Sequence, residues 1–217
     1  MARAQIINID ELIKKIVDKK ATTVQGVILD NAAGLGTHTR YRELVTYLKA
    51  NPKMTFENCQ FDDLVAPGIE FPEGTFTNVS FGKAYLGECY FGGSTFRSTS
   101  FSGADVTDGY FMQSNADRFS GFSNLNGPGT DFTLFTGQGI SLVAANLYGA
   151  KMVGADLQDA NLYCAKLNGA NLNLARLQRA RLSRASLNNA SLVGADITGA
   201  ELEDTLFDDA NRRYCRS

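Results

Sequence analysis

In the last third of the chain a large apolar residue recurs at every fifth position: Leu147, Met152, Leu157, Leu162, Leu167, Leu172, Leu177, Leu182, Leu187, Leu192, Ile197, Leu202 and Phe207. Two residues before each stands alanine, from Ala145 to Ala200, and only Thr205, before Phe207, departs. A period of five suits neither regular element. On a helix such positions rotate by about 140° each and form no stripe; on a flat strand they alternate faces. Within a unit, however, the small and the large residue are two apart, so both point to one side of a short extended piece. The other residues must then turn the chain. Gly149, Gly154, Gly169, Gly194 and Gly199 hold the last corner position, with Asp159, Asn189 and Asp204 elsewhere, all types that accept tight corners. The pattern describes a coil with one inward-facing side per five residues and leaves the number of sides open.

A phenylalanine version runs upstream: Phe56, Phe61, Phe71, Phe76, Phe81, Leu86, Phe91, Phe96, Phe101, Val106 and Phe111, with Ala66 as the weak member in "LVAPGIEF". Small or modest residues often stand two before, among them Cys59, Val79, Ala84, Cys89, Ser94, Thr99 and Ala104. That placement makes Cys59 and Cys89 buried packing groups. The two series are out of phase by one residue. The later phase resumes at Phe122, Phe132 and Leu142, and between them "MQSNADRFSGFSNLNGPGT" (112–130) breaks the pattern. A bulge or a protruding loop is expected there, with "NGPG" as a turn.

Both ends of a coiled rod expose unpaired strand edges and need covers. The first 53 residues supply one. "NIDELIKKIVDKK" reads as a helix, with Asn8 and Glu11 at capping-box spacing and Leu12, Ile13, Ile16 and Val17 on one face. "VQGVILD" (24–30) reads as a strand lying on the first coil. "TRYRELVTYLKANP" reads as a second helix, with Tyr41, Leu44, Val45 and Leu48 as its stripe and Asn51-Pro52 as its stop. The expected organisation is a helix/strand cap over 1–53, phenylalanine-type coils over 54–111, an irregular loop with a register shift over 112–131, alanine/leucine coils over 132–210 and a tail over 211–217. The tail is a thin cover, so pairing of two chains through the last coil is an alternative way to close that end.

Charge changes the picture little as a total and more as a distribution. The net charge is −2, which does not favour direct nucleic-acid binding. Residues 1–53 carry nine basic against five acidic groups, and residues 54–117 carry two against nine. Four cysteines at 59, 89, 164 and 215 show no metal-ligand spacing, and a reducing, cytoplasmic setting is the simpler reading. No secretory signal is read at the N-terminus, and no stretch reaches the ~20 apolar residues of a membrane span. The single histidine, His38 in "GLGTHTR", assembles no triad. "NAAGLGTHTR" lacks the ending of a phosphate loop. No catalytic residue, metal or cofactor is assigned, and an enzyme is not expected.

The units "GADLQ", "GANLN" and "GADIT" resemble the A-(D/N)-L-x-x motif of the pentapeptide repeat proteins. The resemblance implies an all-β solenoid, a right-handed four-sided β-helix with twenty residues per coil, here with a small α-containing cap. With that coil length, residues twenty apart become vertical neighbours. Arg176 then falls between Asp156 and Asp196, Arg179 beside Asp159, Arg181 between Asn161 and Glu201, and Arg184 beside Asp204. The basic stretch "ARLQRARLSRASL" thus reads as a charge ladder that serves the fold. The resemblance also implies a protein-binding or scaffolding role, the partner being another protein. Candidate contact residues are Phe119, Phe122, Asn124, Leu125 and Asp131 in the broken segment, and Asp62, Asp63, Glu70 and Glu73 in the acidic half. Quinolone-resistance pentapeptide proteins share the acidic surface and mid-rod interruption. That likeness implies the alternative role of a DNA mimic acting on DNA gyrase.

Overall fold

The computed structural model describes residues 5–30 and 32–206. Phe207, the last member of the series, and the tail over 211–217 lie outside the described residues, and so does the expected closure of that end by the tail or a second chain. The chain is a four-sided parallel β-helix. Strands β4 (Thr55–Glu57), β5 (Thr75–Thr77), β6 (Thr95–Arg97) and β7 (Asn115–Ala116) stack in parallel on the first side. Single-residue rungs form the other three sides, through Gln60↔Ser80, Val65↔Tyr85 and Glu70↔Tyr90. Four rungs per twenty-residue step fix the number of sides that the five-residue period alone left open.

The regular corners are closed the same way. The residue two after the central apolar one lies at positive φ, as at Glu88 (58°), Asp159 (58°) and Arg179 (57°). Its N–H donates to a carbonyl of the next coil, as Glu88 N does to Thr107 O at 2.8 Å. Both residues of the inward pair are buried along the rod up to the last described unit, where Ala200 and Leu202 are half-buried: Ala170 and Leu172 are 1% and 0% exposed. The phenylalanines form stacked columns, with centroids 5.2 Å apart for Phe56–Phe76, 5.0 Å for Phe81–Phe101 and 5.1 Å for Phe91–Phe111. Such offset stacks add to the area they bury.

A one-residue register shift lies within 112–131, but the irregular loop expected there is corrected. Vertical spacing is 20 through Ser80↔Ser100, becomes 21 for Ser100↔Gly121, Asp105↔Asn126, Tyr110↔Asp131 and Asn115↔Thr136, and returns to 20 at Gly121↔Ser141. One extra residue is therefore held in a single corner between Ala116 and Gly121. Side chains repair the hydrogen bonds it would break. A regular corner N–H meets a carbonyl, as Asn78 N meets Arg97 O; here Ser98 N donates to Asp117 Oδ1 at 3.0 Å. Thr99 N donates to Ser120 Oγ at 3.1 Å, and that hydroxyl donates to Asp117 Oδ1 at 2.8 Å.

The rest of the segment is ordinary coil, and two units in and just after it hold the inward pair in reversed size order. At 125/127 and 135/137 the large residue comes first, Leu125 and Phe135, and glycine takes the central place. Leu125 and Phe135 are each 1% exposed. A Cβ on Gly137 would run into Phe135 Cε1 and stand 2.7 Å from Ile140 Cδ1, so the glycine is the space the phenylalanine occupies. Leu64 and Ala66 show the same reversal and are both buried.

The cap is built as its sequence reads, with two additions. Asn8 Oδ1 accepts from Glu11 N and Glu11 Oε2 from Asn8 N, closing the capping box of α1 (Ile9–Ile13). A π-turn (Lys14–Asp18) then widens the helix. The run at 24–30 splits at Gly26 (φ 62°) into β2 (Thr23–Gln25) and β3 (Val27–Leu29). Val24 pairs above Phe56 and Ile28 above Gln60, so the two strands are half a coil laid on the first. β1 (Gln5–Ile7) pairs with β3 as the outermost rung. The helix α2 (Tyr41–Ala50) buries Leu44 and Leu48 and reaches the first coil, Tyr41 Oη donating to Pro67 O at 2.8 Å.

Candidate interaction surface

Because the bore is filled, recognition falls to the outward positions, which the coil sorts into vertical columns. The arginines resolve first. Arg176 Nη1 stands 3.1 Å from Asp156 Oδ2, Arg179 Nη2 2.6 Å from Asp159 Oδ2, Arg181 Nε 3.1 Å from Glu201 Oε2 and Arg184 Nε 3.6 Å from Asp204 Oδ2. The Arg179 guanidinium hydrogen-bonded to Asp159 holds that carboxyl below its usual range. Each guanidinium is matched one coil away, so this stretch presents no free basic patch.

The candidate contact residues do not form one surface. Phe122 is 0% exposed, stacked between coils on Phe101 at 5.1 Å, and Leu125 is equally interior. Neither can anchor a partner, which corrects that expectation. Phe119 does project, 71% exposed, from the corner holding the extra residue, with the Arg118 guanidinium 5.4 Å from its ring. Asp62, Asp63 and Asn124 lie at the corner between the second and third sides. Glu73 lies at the diagonally opposite one, 3.5 Å from Lys53.

Glu70 and Asp131, by contrast, share one column, linked through Glu70↔Tyr90, Tyr90↔Tyr110 and Tyr110↔Asp131. Around them the corner between the third and fourth sides gathers what a linear reading separates. Its outward positions over four coils hold Tyr85, Glu88 and Tyr90, then Asp105, Asp108 and Tyr110, with Asp131 below, and no Lys or Arg. Glu70 at its upper end is held by Lys49 at 3.0 Å. Tyr85 and Tyr110 are 48% and 41% exposed, and Tyr148, on the same corner one coil further, 62%. The Tyr90 and Tyr110 rings lie 6.3 Å apart. Glycine makes room for the Tyr90 ring, which leans from the fourth side towards the first: a Cβ on Gly92 would stand 2.5 Å from Tyr90 Oη.

Asp105 is fixed in its charged form. Partial burial pushes its pKa up, but Thr107 Oγ1 at 2.6 Å, Thr107 N at 3.0 Å and Asn126 Nδ2 at 3.0 Å all donate to it and hold it below the usual carboxylate range. The signal in the sequence was the twenty-residue recurrence of tyrosine at 90 and 110 beside acids at 88 and 108. It becomes visible only once the columns are known.

His38 has a structural part. Its Nδ1 accepts from Arg40 N at 3.2 Å while Nε2 lies 3.1 Å from Asp10, tying the entry of α2 to α1. Among the described residues no group of His, Cys, Asp and Glu is placed to hold a metal ion, and no helix is long and apolar enough to cross a membrane.

The family model for pentapeptide repeats matches eight copies over residues 76–111, 140–179 and 175–211, leaving out the coil with the extra residue and the reversed pairs. No curated relative matches by sequence. Among solved structures the chain is similar to HetL, a pentapeptide repeat protein involved in heterocyst differentiation regulation from the cyanobacterium Nostoc sp. strain PCC 7120. That match has 16% identity over 92% of each chain and a TM-score of 0.43. It is similar also to QnrB1, a plasmid-mediated fluoroquinolone resistance protein, at 14% identity over 97% of this chain and 92% of that one, TM-score 0.43. A pentapeptide repeat protein of the Arabidopsis thaliana thylakoid lumen is 29% identical over 53% of this chain and 69% of its own, TM-score 0.28. With its five-residue inward pairs stacked at a twenty-residue pitch and the family model matched in both halves, the chain belongs to the pentapeptide repeat family.

Proposed function

We propose that this protein is a non-enzymatic binding module whose tyrosine–acid corner receives a basic surface of another protein. The observation that carries the reading is the company of exposed tyrosines with Glu88 and Asp108, which form no ion pair among the described residues, on one rigid edge. Tyrosine brings large contact area at low entropic cost and is enriched where interfaces hold most of their energy. Its ring face also attracts the guanidinium and ammonium groups that the carboxylates draw in. The experiment is capture of partners from native extract at rising salt. Glu88→Lys with Asp108→Lys should abolish capture, while Asp62→Lys with Asp63→Lys, on another corner, should leave it intact. Loss only in the second pair would refute the assignment.

A second reading, a DNA mimic acting on DNA gyrase, rests on the spacing of the same charges. At ~4.8 Å per rung the acids from Glu70 to Asp131 fall at roughly one per 3–4 Å, near the 3.4 Å spacing of one DNA strand. It requires inhibition of DNA binding by gyrase that Glu88→Lys with Asp108→Lys relieves. Unchanged supercoiling at saturating protein would eliminate it.

A further inference from the structure

Among the described residues β1 is the outermost strand at the N-terminal side of the rod, and its one strand partner is β3. Gln5 N donates to Gly26 O at 2.6 Å, and Asp30 N donates to Ile7 O at 2.8 Å. Residues 5 and 7 thus turn their backbone groups towards β3, and the residue between them turns its own the other way. Ile6 N–H and C=O lie along the edge that has no strand partner among the described residues, and the Ile6 side chain is 68% exposed. An open edge of this kind is a template for another strand.

Beside that edge runs a groove of about 450 Å³ lined by Gln5, Ile7, Glu11, Lys14, Lys15 and Lys19. The π-turn sets its charge. Lys19 N bonds Lys14 O at 3.0 Å, an i→i+5 closure that brings these two lysines onto the same side of the turn. The acids of the same segment are already engaged: Asp18 is held by Arg40 at 2.6 Å, and Glu11 accepts from Asn8 N at 3.1 Å in the capping box. Among the described residues Lys14, Lys15 and Lys19 form no ion pair. The strand that carries this edge, through Gln5 and Ile7, and three lysines without an ion pair among the described residues thus line one groove, in which Glu11 is the one acid.

We infer that this edge takes an extended acidic peptide, added to β1 as a further rung of the second side, with its carboxylates against Lys14 and Lys19. Backbone bonds to Ile6 supply the register, and the lysines select the charge. The site lies at the cap and is independent of the tyrosine–acid corner.

The test is fluorescence anisotropy with the full chain and a short dye-labelled peptide of alternating valine and glutamate. Saturable micromolar binding is expected. Lys14→Glu with Lys19→Glu should weaken it about tenfold or more. Ile6→Pro removes an N–H that faces away from β3, and should weaken it about three- to tenfold. The same peptide N-methylated along one edge should not bind the unaltered protein, a control that needs no variant to fold. Absence of binding overturns the proposal. So does equal affinity for the N-methylated peptide, which would mean charge attraction without strand addition, and so does indifference to the lysine reversals.

Discussion

Phe135 and Gly137 hold the inward pair of one side in reversed order, and the bore should accept the usual order there if total volume is what it requires. Phe135→Ala removes a ring that is 1% exposed and touches Phe122 and Phe132 at centroid distances of 5.9 and 5.1 Å. Truncations of this kind cost ~3–5 kcal/mol. Gly137→Leu alone forces a side chain into space already filled by Phe135 and Ile140, at ~1–3 kcal/mol or more. Gly137 does not lie at positive φ, so its backbone admits a side chain. Were the two changes independent, the double variant would lose about 4–8 kcal/mol. Restoring the small-then-large order instead lets the new leucine fill the hole left by the ring. A coupling of ~2–3 kcal/mol, the upper range for residues in contact, follows. The double variant should then be no less stable than Phe135→Ala alone, although it carries a second core change. Urea unfolding followed by far-ultraviolet circular dichroism measures this, using variants whose m-values match the parent. Simple addition of the two losses would refute the idea that the pair is a volume exchange.

Three further outcomes follow from the same geometry. Ala170→Leu places a large side chain in the narrow inward position beside Leu172 and should lose ~1–3 kcal/mol or more in the same unfolding assay; no loss would contradict the packing. Arg176→Glu puts three acids in the column that runs Asp156, Arg176, Asp196 and should lower the melting temperature more than Lys83→Glu does, with equal shifts leaving the ladder without energetic weight. Asp105 titrates below the ordinary range because Thr107 and Asn126 donate to its charged form, so its stabilisation is complete above about pH 4 and disappears as pH falls through its lowered value. Asp105→Asn should therefore be less stable than the parent at neutral pH, with the gap narrowing in acid; a gap that widened on acidification would reverse the assignment.

The bore was legible because its chemistry repeats. Ala145 to Leu202 state one steric demand many times, and the two cysteines at 59 and 89 fall into it as small packing groups. At 112–131 the reading placed the one-residue shift but expected an irregular loop, because it looked for size order rather than summed volume. Leu125-Asn126-Gly127, and just beyond it Phe135-Thr136-Gly137, satisfy the bore with the order inverted, and "ADRFS" absorbs the added residue within one corner, with Asp117 and Ser120 accepting the backbone N–H groups it leaves. Surface chemistry was less legible for a different reason. Asp62, Asp63, Glu70 and Glu73 are close in sequence yet divide among three corners, whereas Glu88 and Asp108 stand twenty residues apart and share one. Proximity on a solenoid is set modulo the coil, and a charge census by segment averages over every face.

The residue added between Ala116 and Gly121 acts like a dislocation in a one-dimensional crystal. The lattice below it resumes with its pitch intact, shifted by a single residue, and neither half carries a trace of the other's phase. Whole turns could therefore be gained or lost on either side of the fault through duplication or deletion without a compensating change across it. Growth of this molecule over evolutionary time would then lengthen the rod while leaving the cap at one end, and the faces it has already committed, where they stand.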